Sequence, residues 1–272
     1  MIAIKSPEFL LQTSLWGNQC DLSISCGEQN NTINNDFKSL EAKIVVNDFS
    51  QLWNYAKKLS ENTSTNLQLD IVLDNSSYEL FTDLCLVEFL HLANIFPKDR
   101  CTVHLHVKKM PWFVSDTMVK DFHWLLNTIE QNETFSSSLK SANVSFRQNV
   151  ASGLWIVKEH DFWTLPHDFS DMPTVAPELY GHLCKSNLVL FKGDLNYRKL
   201  VGDLNWPFTA TFKESLRQFQ PTTAVCSLRT VKADVVVGIH DEETLKQVQS
   251  LPSSWMETGE YAVVHFLNNG PN

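Results

Sequence analysis

The amino-acid sequence predicts an α/β protein built on a mostly parallel sheet with helices on both sides. Three observations carry this. Six short runs rich in β-branched and apolar residues end in turn or charged residues. Most of them are continuous rather than alternating, which suits strands covered on both faces. Amphipathic runs at helical spacing lie between them, so strands alternate with helices as in βαβ units. Glycine is scarce, 9 in 272 residues, which disfavours repetitive all-β architectures that need a turn glycine every few residues.

In chain order the strands are expected at residues 69–73, 102–107, 154–158, 188–191, 235–239 and 262–266. Helices are expected between them. Residues 49–59 place Leu52, Tyr55 and Ala56 on one side. Residues 79–94 place Leu80, Leu84, Val87 and Leu90 along one face, with Phe81, Cys85 and Phe89 beside it. Val119, Phe122, Leu126 and Ile129 follow at amphipathic spacing. Shorter helices are expected at 176–184, 211–219 and 242–250. The polar stretches 28–35, 60–66 and 132–141 read as surface loops. No internal repeat and no interdomain linker is visible, so residues 1–272 are expected to form a single domain.

The formal net charge of −9 and pI near 5.4 argue against a nucleic-acid partner, which calls for clustered Lys and Arg. An acidic protein that handles anionic substrates must concentrate positive charge locally, through a few basic side chains or a metal ion. The six cysteines (Cys20, Cys26, Cys85, Cys101, Cys184 and Cys226) contain no C-x-x-C pair, which fits neither a zinc motif nor a dense disulfide framework. The first residues lack the basic and apolar segments of a signal peptide, and no run approaches the length of a membrane span. A reduced, cytoplasmic setting without a membrane partner is expected. There is no G-x-x-x-x-G-K-[ST], no G-x-G-x-x-G after a strand and no G-x-S-x-G, so P-loop, dinucleotide and serine-hydrolase sites lack support.

Ligands of open α/β sheets bind beyond the carboxyl ends of the strands. Three such ends are unusually polar. The first runs into Asp74, Asn75 and Ser76, then Glu79. Asp74 and Asn75 offer hard oxygen ligands if the strand-to-helix turn breaks their alternation. The competing reading is a helix N-cap, with Glu79 as a dipole partner. The second leads to Asp116, either a third oxygen ligand or another N-cap. His104 and His106 share one face of that strand, as a metal pair or as a packed polar face. The third opens into Lys192, Gly193, Asp194, Asn196 and Arg198. There the glycine permits close backbone approach, Asp194 suits proton transfer, and Asn196 and Arg198 suit phosphate oxygens. Arg229 and Lys232 add two cations near the 235–239 run, adequate for phosphate but commoner as a surface pair.

As an ordered set these segments resemble the damage-control phosphatases, first catalogued as domain of unknown function 89, and in particular subfamily III. The carrying motifs are Leu15-Trp16-Gly17-Asn18 with Asp21-Leu22-Ser23, Asp74-Asn75-Ser76 with Glu79, and Pro111-Trp112-Phe113-Val114-Ser115-Asp116. Phe162-Trp163-Thr164-Leu165-Pro166, Phe191 through Leu200, and Arg229-Thr230-Val231-Lys232 complete them. The resemblance spans residues 15–266. It implies a three-layer α/β/α fold and a divalent metal on Asp74, Asn75 and Asp116, with Mn²⁺ foremost and Co²⁺, Ni²⁺ or Mg²⁺ as alternatives. It implies substrate contacts from Asp74, Asn75, Glu79, Asp116, Asp194, Leu195, Asn196, Tyr197, Arg198 and Lys232. Asp74, Asp194 and Lys232 are the expected catalytic groups. The implied reaction is hydrolysis of small phosphorylated metabolites, sugar phosphates such as fructose 1-phosphate.

Two departures from the family pattern stand out. Ser77 replaces a glycine, and its Cβ is expected to force φ negative. The helical N-terminal region of subfamily III is expected to be largely absent, since about fourteen residues precede Leu15. Two alternatives follow: methylation of protein glutamates with S-adenosylmethionine, credited to the family, and a catalytically impaired, metabolite-binding paralogue.

Overall fold

The alternating apolar and helical runs build one seven-stranded sheet between two helical layers. The computed structural model describes residues 7–17 and 37–270. The expected loop at 28–35 and the motif residues Asn18, Asp21, Leu22 and Ser23 lie outside the described residues. The elements are α1 (Pro7–Trp16), α2 (Phe37–Glu41), β1 (Ile44–Asn47), α3 (Phe49–Glu61), β2 (Leu67–Val72) and α4 (Tyr78–Leu92). Then come β3 (Cys101–Val107), α5 (Val119–Gln131), α6 (Ser137–Ala151), β4 (Trp155–Glu159), α7 (Met172–Val175) and α8 (Pro177–Leu183). The rest are β5 (Leu188–Lys192), α9 (Gly193–Val201), α10 (Phe212–Ser215), β6 (Ala224–Thr230), α11 (Glu242–Ser250) and β7 (Ala262–Asn268).

The strand order is β1-β7-β6-β5-β2-β3-β4. Every neighbouring pair is parallel except β6 with β7, which is antiparallel. Both faces are covered, as the continuous apolar runs predict. One face buries Leu69, Ile71, Leu105, Leu190, Leu228 and Val264 beneath α1, α3, α4, α5 and α6. The other buries Val72, Val189, Phe191, Val225 and Val263 against Phe162, Trp163, Phe169, Tyr197 and Phe219. At ~1.5–3 kcal/mol for each fully buried large apolar side chain, these layers outweigh any single polar contact at the strand ends. Among the described residues no helix is long and apolar enough to cross a membrane.

The expected strand at 235–239 is not one. Val235, Val236, Val237 and Ile239 are buried, but their backbone finds other partners. Gly238 N donates to Ala210 O, Ile239 N to Phe208 O and Val237 N to the Tyr197 hydroxyl. An apolar run reports burial, and here burial comes without strand pairing. The strand in that part of the chain is β6, in the middle of the sheet. Its Ser227, Arg229 and Thr230 are polar yet buried, which hides it from an apolar pattern. The edge strand β1 is likewise unanticipated. The expected loop at 132–141 holds the start of α6, capped by Ser136 Oγ accepting from Leu139 N. Helix α10 is shorter than the expected 211–219, stopping at Ser215 just before Arg217 takes φ +49°.

The topology fixes where a site can form. From β2 the chain moves outward through β3 to β4; from β5 it moves the other way, through β6. Strands β2 and β5 are neighbours, so the crevice between their carboxyl ends is the topological switch point.

Candidate active site at the switch point

A two-residue clamp turns the end of β2 into a site. Leu73 N donates to His106 O, and Asn75 then bridges antiparallel to Asp116. Thr117 N donates to Asp74 O and Ser76 N to Ser115 O, each at 2.8 Å. This pairing breaks strand alternation, so Asp74, Asn75 and Asp116 converge. Asn75 Nδ2 donates to Asp74 Oδ2 at 3.0 Å and to Glu79 Oε2 at 2.9 Å, while Asn75 Oδ1 accepts from Ser115 Oγ at 2.7 Å. Ser77 holds φ +59°, ψ −119°, against the expectation of negative φ. The clamp before it and α4 after it impose the conformation that a glycine would adopt freely.

Two lysines at the ends of the strands flanking β2 enter the cluster. Lys108 follows β3 and donates from Nζ to Asp74 Oδ1 at 3.2 Å and Asp116 Oδ1 at 2.5 Å. Asp116 Oδ2 accepts from the backbone N–H groups of Trp112 and Phe113, each at 2.8 Å. Lys192 closes β5. Its Nζ meets Glu79 Oε1 at 3.3 Å, Asp83 Oδ1 at 3.0 Å and Ser14 O at 2.6 Å. Asp83 Oδ1 also accepts from Ser14 Oγ at 2.6 Å, which ties α1 to α4.

Four carboxylates (Asp74, Glu79, Asp83 and Asp116) are thus buried with two lysines (Lys108 and Lys192). Burial pushes Glu79 up to about 7, and the charges of Asp74 and Asp83 add to that while Lys192 opposes it. Burial also raises Asp74 and Asp83. Burial alone would lower Lys108 and Lys192, but Asp74 and Asp116 hold the first up, and Asp83 and Glu79 the second. Burial is the first cause of the carboxylate shifts, and among the described residues the four carboxylates face two buried lysines, with the charge of Lys232 also felt at Asp74.

Helix α9 supplies the other wall. Gly193, at φ +83°, packs so tightly on Asp74 that a Cβ there would lie 1.9 Å from Asp74 Oδ2. Asn196 Nδ2 donates to Lys192 O and Leu73 O, locking the helix to both strand ends. Asp194 Oδ1 accepts from Arg229 Nε at 2.7 Å and Lys232 N at 3.0 Å. Lys232 is half-buried, with its charge within reach of Asp74. Tyr197 is fully buried under the Arg229 guanidinium, which sits 4.2 Å from its ring centroid. Leu195 and Arg198 line a cleft of about 390 Å³ with Trp112, Phe113 and Lys199. Arg198 is paired there with Asp203, through Nε at 2.9 Å and Nη2 at 2.6 Å.

Of the residues expected from the sequence, Asp74, Asn75, Glu79 and Asp116 therefore share one cluster, and Lys232 faces it. Asp194, Leu195, Asn196 and Arg198 lie along the α9 side, and Tyr197 lies beneath. Arg229 is fully buried and serves loop architecture, with Nη2 donating to Ala233 O at 2.9 Å and Nη1 to Val235 O. Sequence reasoning named Lys192 without giving it a role and passed over Lys108, Asp83 and Lys199. A lysine at the end of each of two apolar strands was a usable signal, as was Asp83 one helical turn beyond Glu79. Lys199 had none. It donates to the carbonyls of Phe162, Trp163 and Leu165, and burial, with Lys108 nearby, pushes it down to about 8.

The donor set fits a divalent cation. Asp74 and Asp116 present buried carboxylate oxygens, and Asn75, bridged to Asp116 through the backbone, an amide that donates to Asp74. Hard oxygen donors of this kind are the ones divalent cations such as Mg²⁺ prefer.

The profile of the damage-control phosphatase ARMT1-like domain matches residues 5–248. The chain is 43% identical over 268 residues to damage-control phosphatase ARMT1 of Bos taurus and 41% identical over 268 residues to that of Homo sapiens. It is 44% identical over 262 residues to the protein of that name from Xenopus tropicalis. These alignments cover 94–96% of the chain and 58% of each relative, so the chain spans a little over half their length.

Proposed function

Because the chain belongs to the damage-control phosphatase ARMT1-like family, we propose that it is a divalent-metal-dependent phosphomonoester hydrolase of small sugar phosphates such as fructose 1-phosphate. The observation that carries the reading is the excess, among the described residues at the switch point, of four buried carboxylates over Lys108, Lys192 and the half-buried Lys232. A site for a neutral ligand has no use for such an imbalance; a site that takes a cation together with a phosphate does.

Asp74, Asn75 and Asp116 would hold the metal. Mn²⁺ is the first choice and Co²⁺, Ni²⁺ and Mg²⁺ are alternatives. When bound it supplies Lewis-acid polarisation of the phosphoryl group. The chain's own residues do the rest. Lys232, whose charge is felt at Asp74, would neutralise phosphate charge. The N-termini of α4 and α9 face the same crevice and favour an anion there. Trp112, Phe113 and Leu195 form the apolar wall of the cleft where the sugar would lie, with Arg198 and Lys199 as its cations. Asp194 is the proposed proton-transfer group. It acts through Oδ2, since Arg229 and Lys232 N hold Oδ1. Ser77 keeps the turn that a glycine would make, so the metal-binding loop retains its shape.

The test is phosphate release from a panel of sugar phosphates with Mn²⁺, Co²⁺, Ni²⁺, Mg²⁺ or EDTA, for the parent and Asp74→Ala. Metal-dependent release is expected, falling on the order of a thousandfold in the variant, as for loss of a central electrostatic group. Turnover that survives EDTA, or full turnover by Asp74→Ala, would remove the proposal.

A further inference from the structure

Farther down the same strands lies a second polar cluster of different chemistry. Asp70 of β2 is aligned with His104 of β3, and Val72 with His106, so Asp70 and both histidines share one face of the sheet. His182 of α8 closes over them. His106 Nε2 lies 2.6 Å and His182 Nε2 2.8 Å from Asp70 Oδ1, and His104 Nδ1 lies 3.5 Å from the same oxygen. The other oxygen, Oδ2, is already taken by Ser186 Oγ at 2.5 Å and Gln68 Nε2 at 2.7 Å. The ligand atoms of Asp70, His106 and His182 all lie within 4.8 Å of one another.

A hydrogen-bonded network does not account for all of this. Two imidazoles saturate Oδ1. His104 Nδ1 faces that same oxygen at 3.5 Å, too long for a good hydrogen bond, and among the described residues makes no other one. A nitrogen left so costs about 1–3 kcal/mol. Three ring nitrogens around one carboxylate oxygen, with the second oxygen fixed by a hydroxyl and an amide, is instead the layout of a tetrahedral ion with its outer hydrogen bonds in place. Rings sharing such an ion at bonds of about 2.0–2.1 Å stand roughly 5 Å apart between centres. Here they are 4.6, 5.8 and 6.5 Å apart, so small ring movements close the site.

We propose that Asp70, His104, His106 and His182 form a second cation site, for a zinc-type ion that pins α8 to β2 and β3. Three imidazoles and one carboxylate select zinc over the hard ions that suit Asp74 and Asp116. The two sites are roughly 13 Å apart along the chain, four residues at about 3.3 Å each. His182 keeps 22% of its side chain exposed, which gives the ion a way in. The proposal does not depend on the phosphatase reading.

The experiment is a Co²⁺ titration of the chelator-stripped full chain followed by visible absorption, then displacement by Zn²⁺. It is run on the parent, Asp74→Ala and His182→Gln, with circular dichroism to establish folding. One equivalent with intense, tetrahedral-type bands is expected in the parent and in Asp74→Ala. Zinc affinity is expected to fall at least a hundredfold in His182→Gln, beyond the ~10–100-fold loss of an outer-shell partner. Absence of such bands in the folded parent would overturn the site, as would their persistence at unchanged affinity in folded His182→Gln. Bands that vanish in folded Asp74→Ala and survive in His182→Gln would assign the ion to the other cluster. If Asp74→Ala does not fold, His182→Gln alone decides, because its position on α8 is partly exposed.

Discussion

Two buried ionic clusters stand side by side at the carboxyl end of the sheet and obey opposite rules. Around Arg229 one guanidinium meets one carboxylate, Asp194. Both terminal nitrogens donate to carbonyls, Nη2 to Ala233 and Nη1 to Val235, and its face rests on Tyr197. Charge is balanced and donors are matched, so this cluster fixes the loop after β6. Around Asp74, among the described residues, four carboxylates share two buried lysines with the charge of Lys232 in reach, and Asp83 Oδ2 lacks a hydrogen-bond partner. A cluster that only held the fold would not carry that excess. The difference teaches that balance, more than burial or charge, separates an architectural ion pair from a site prepared for a ligand.

The contrast breaks most sharply at Arg229. Arg229→Met leaves the largely enclosed Asp194 with the Lys232 N–H as its donor and strands two carbonyls. Removing one partner of a buried pair costs about 3–5 kcal/mol. The low end is expected here, since Asp194 keeps 13% of its side chain exposed. Urea denaturation of the variant measures it, and Arg229→Met/Asp194→Asn should recover part of the loss. A single-variant change below about 1 kcal/mol would mean that this pair does not hold the loop.

The clusters should also separate by pH. Burial pushes His265 down to about 4; Val237 O opposes this, and Arg229 adds to it. The ring is stacked on Tyr197 and Phe212. Since the unfolded value is 6.5, the unfolded chain binds the proton first. The stability from the neutral ring is complete above 6.5 and is lost as pH falls through about 4, a loss on the order of 3 kcal/mol. Glu79 has the opposite sign. Its folded value of about 7 exceeds the unfolded 4.5, so its contribution is complete below 4.5 and is lost as pH rises through 7. Urea midpoints across this range should show the acid-side loss reduced in His265→Gln and the alkaline-side loss reduced in Glu79→Gln. Identical profiles for parent and both variants would refute both assignments.

A smaller change sharpens the unbalanced side. Asp83→Asn removes one buried charge while leaving a group that can still meet Ser14 and Lys192. In EDTA it is expected to raise stability by about 1–2 kcal/mol, the relief of a carboxylate whose burial exceeds its pairing. A fall of similar size would show that Lys192 needs both Glu79 and Asp83, and that the cluster is balanced as it stands.

How much of this was legible depended on which physical signal each residue leaves. Continuous apolar runs at β2, β3 and β5 and the amphipathic faces of α3, α4 and α5 announced the layers. The polar residues after β2, β3 and β5 announced the crevice. β6 was hidden because Ser227, Arg229 and Thr230 are satisfied or enclosed only by tertiary neighbours, and the 235–239 run misled because burial does not require pairing. Asp74, Asn75 and Asp116 were nameable singly. Their convergence rests on the Asn75–Asp116 bridge, a contact between loops that local pattern does not encode. Lys108 and Lys192 were visible as strand-end lysines, yet only the fold brings both to the same carboxylates.

The smallest effect tests the turn on which the site depends. Ser77 sits at φ +59°, ψ −119° between the Asn75–Asp116 bridge and the first turn of α4, where Phe81 N donates to Ser77 O. A side chain held there costs on the order of 1–3 kcal/mol, whereas glycine adopts the conformation freely but loses about 0.5–1 kcal/mol more backbone entropy on folding. The first term exceeds the second, so Ser77→Gly is expected to raise stability by about 0.5–1 kcal/mol in thermal or urea denaturation. Because the turn already has the shape that glycine would give it, phosphate release should stay within about twofold of the parent, less than 0.5 kcal/mol in barrier height. A variant that is less stable would show that the serine is not strained. Turnover that appears only in the variant would show that the Cβ obstructs the crevice, and would make position 77, rather than the charge imbalance around Asp74, the feature that decides whether the site works.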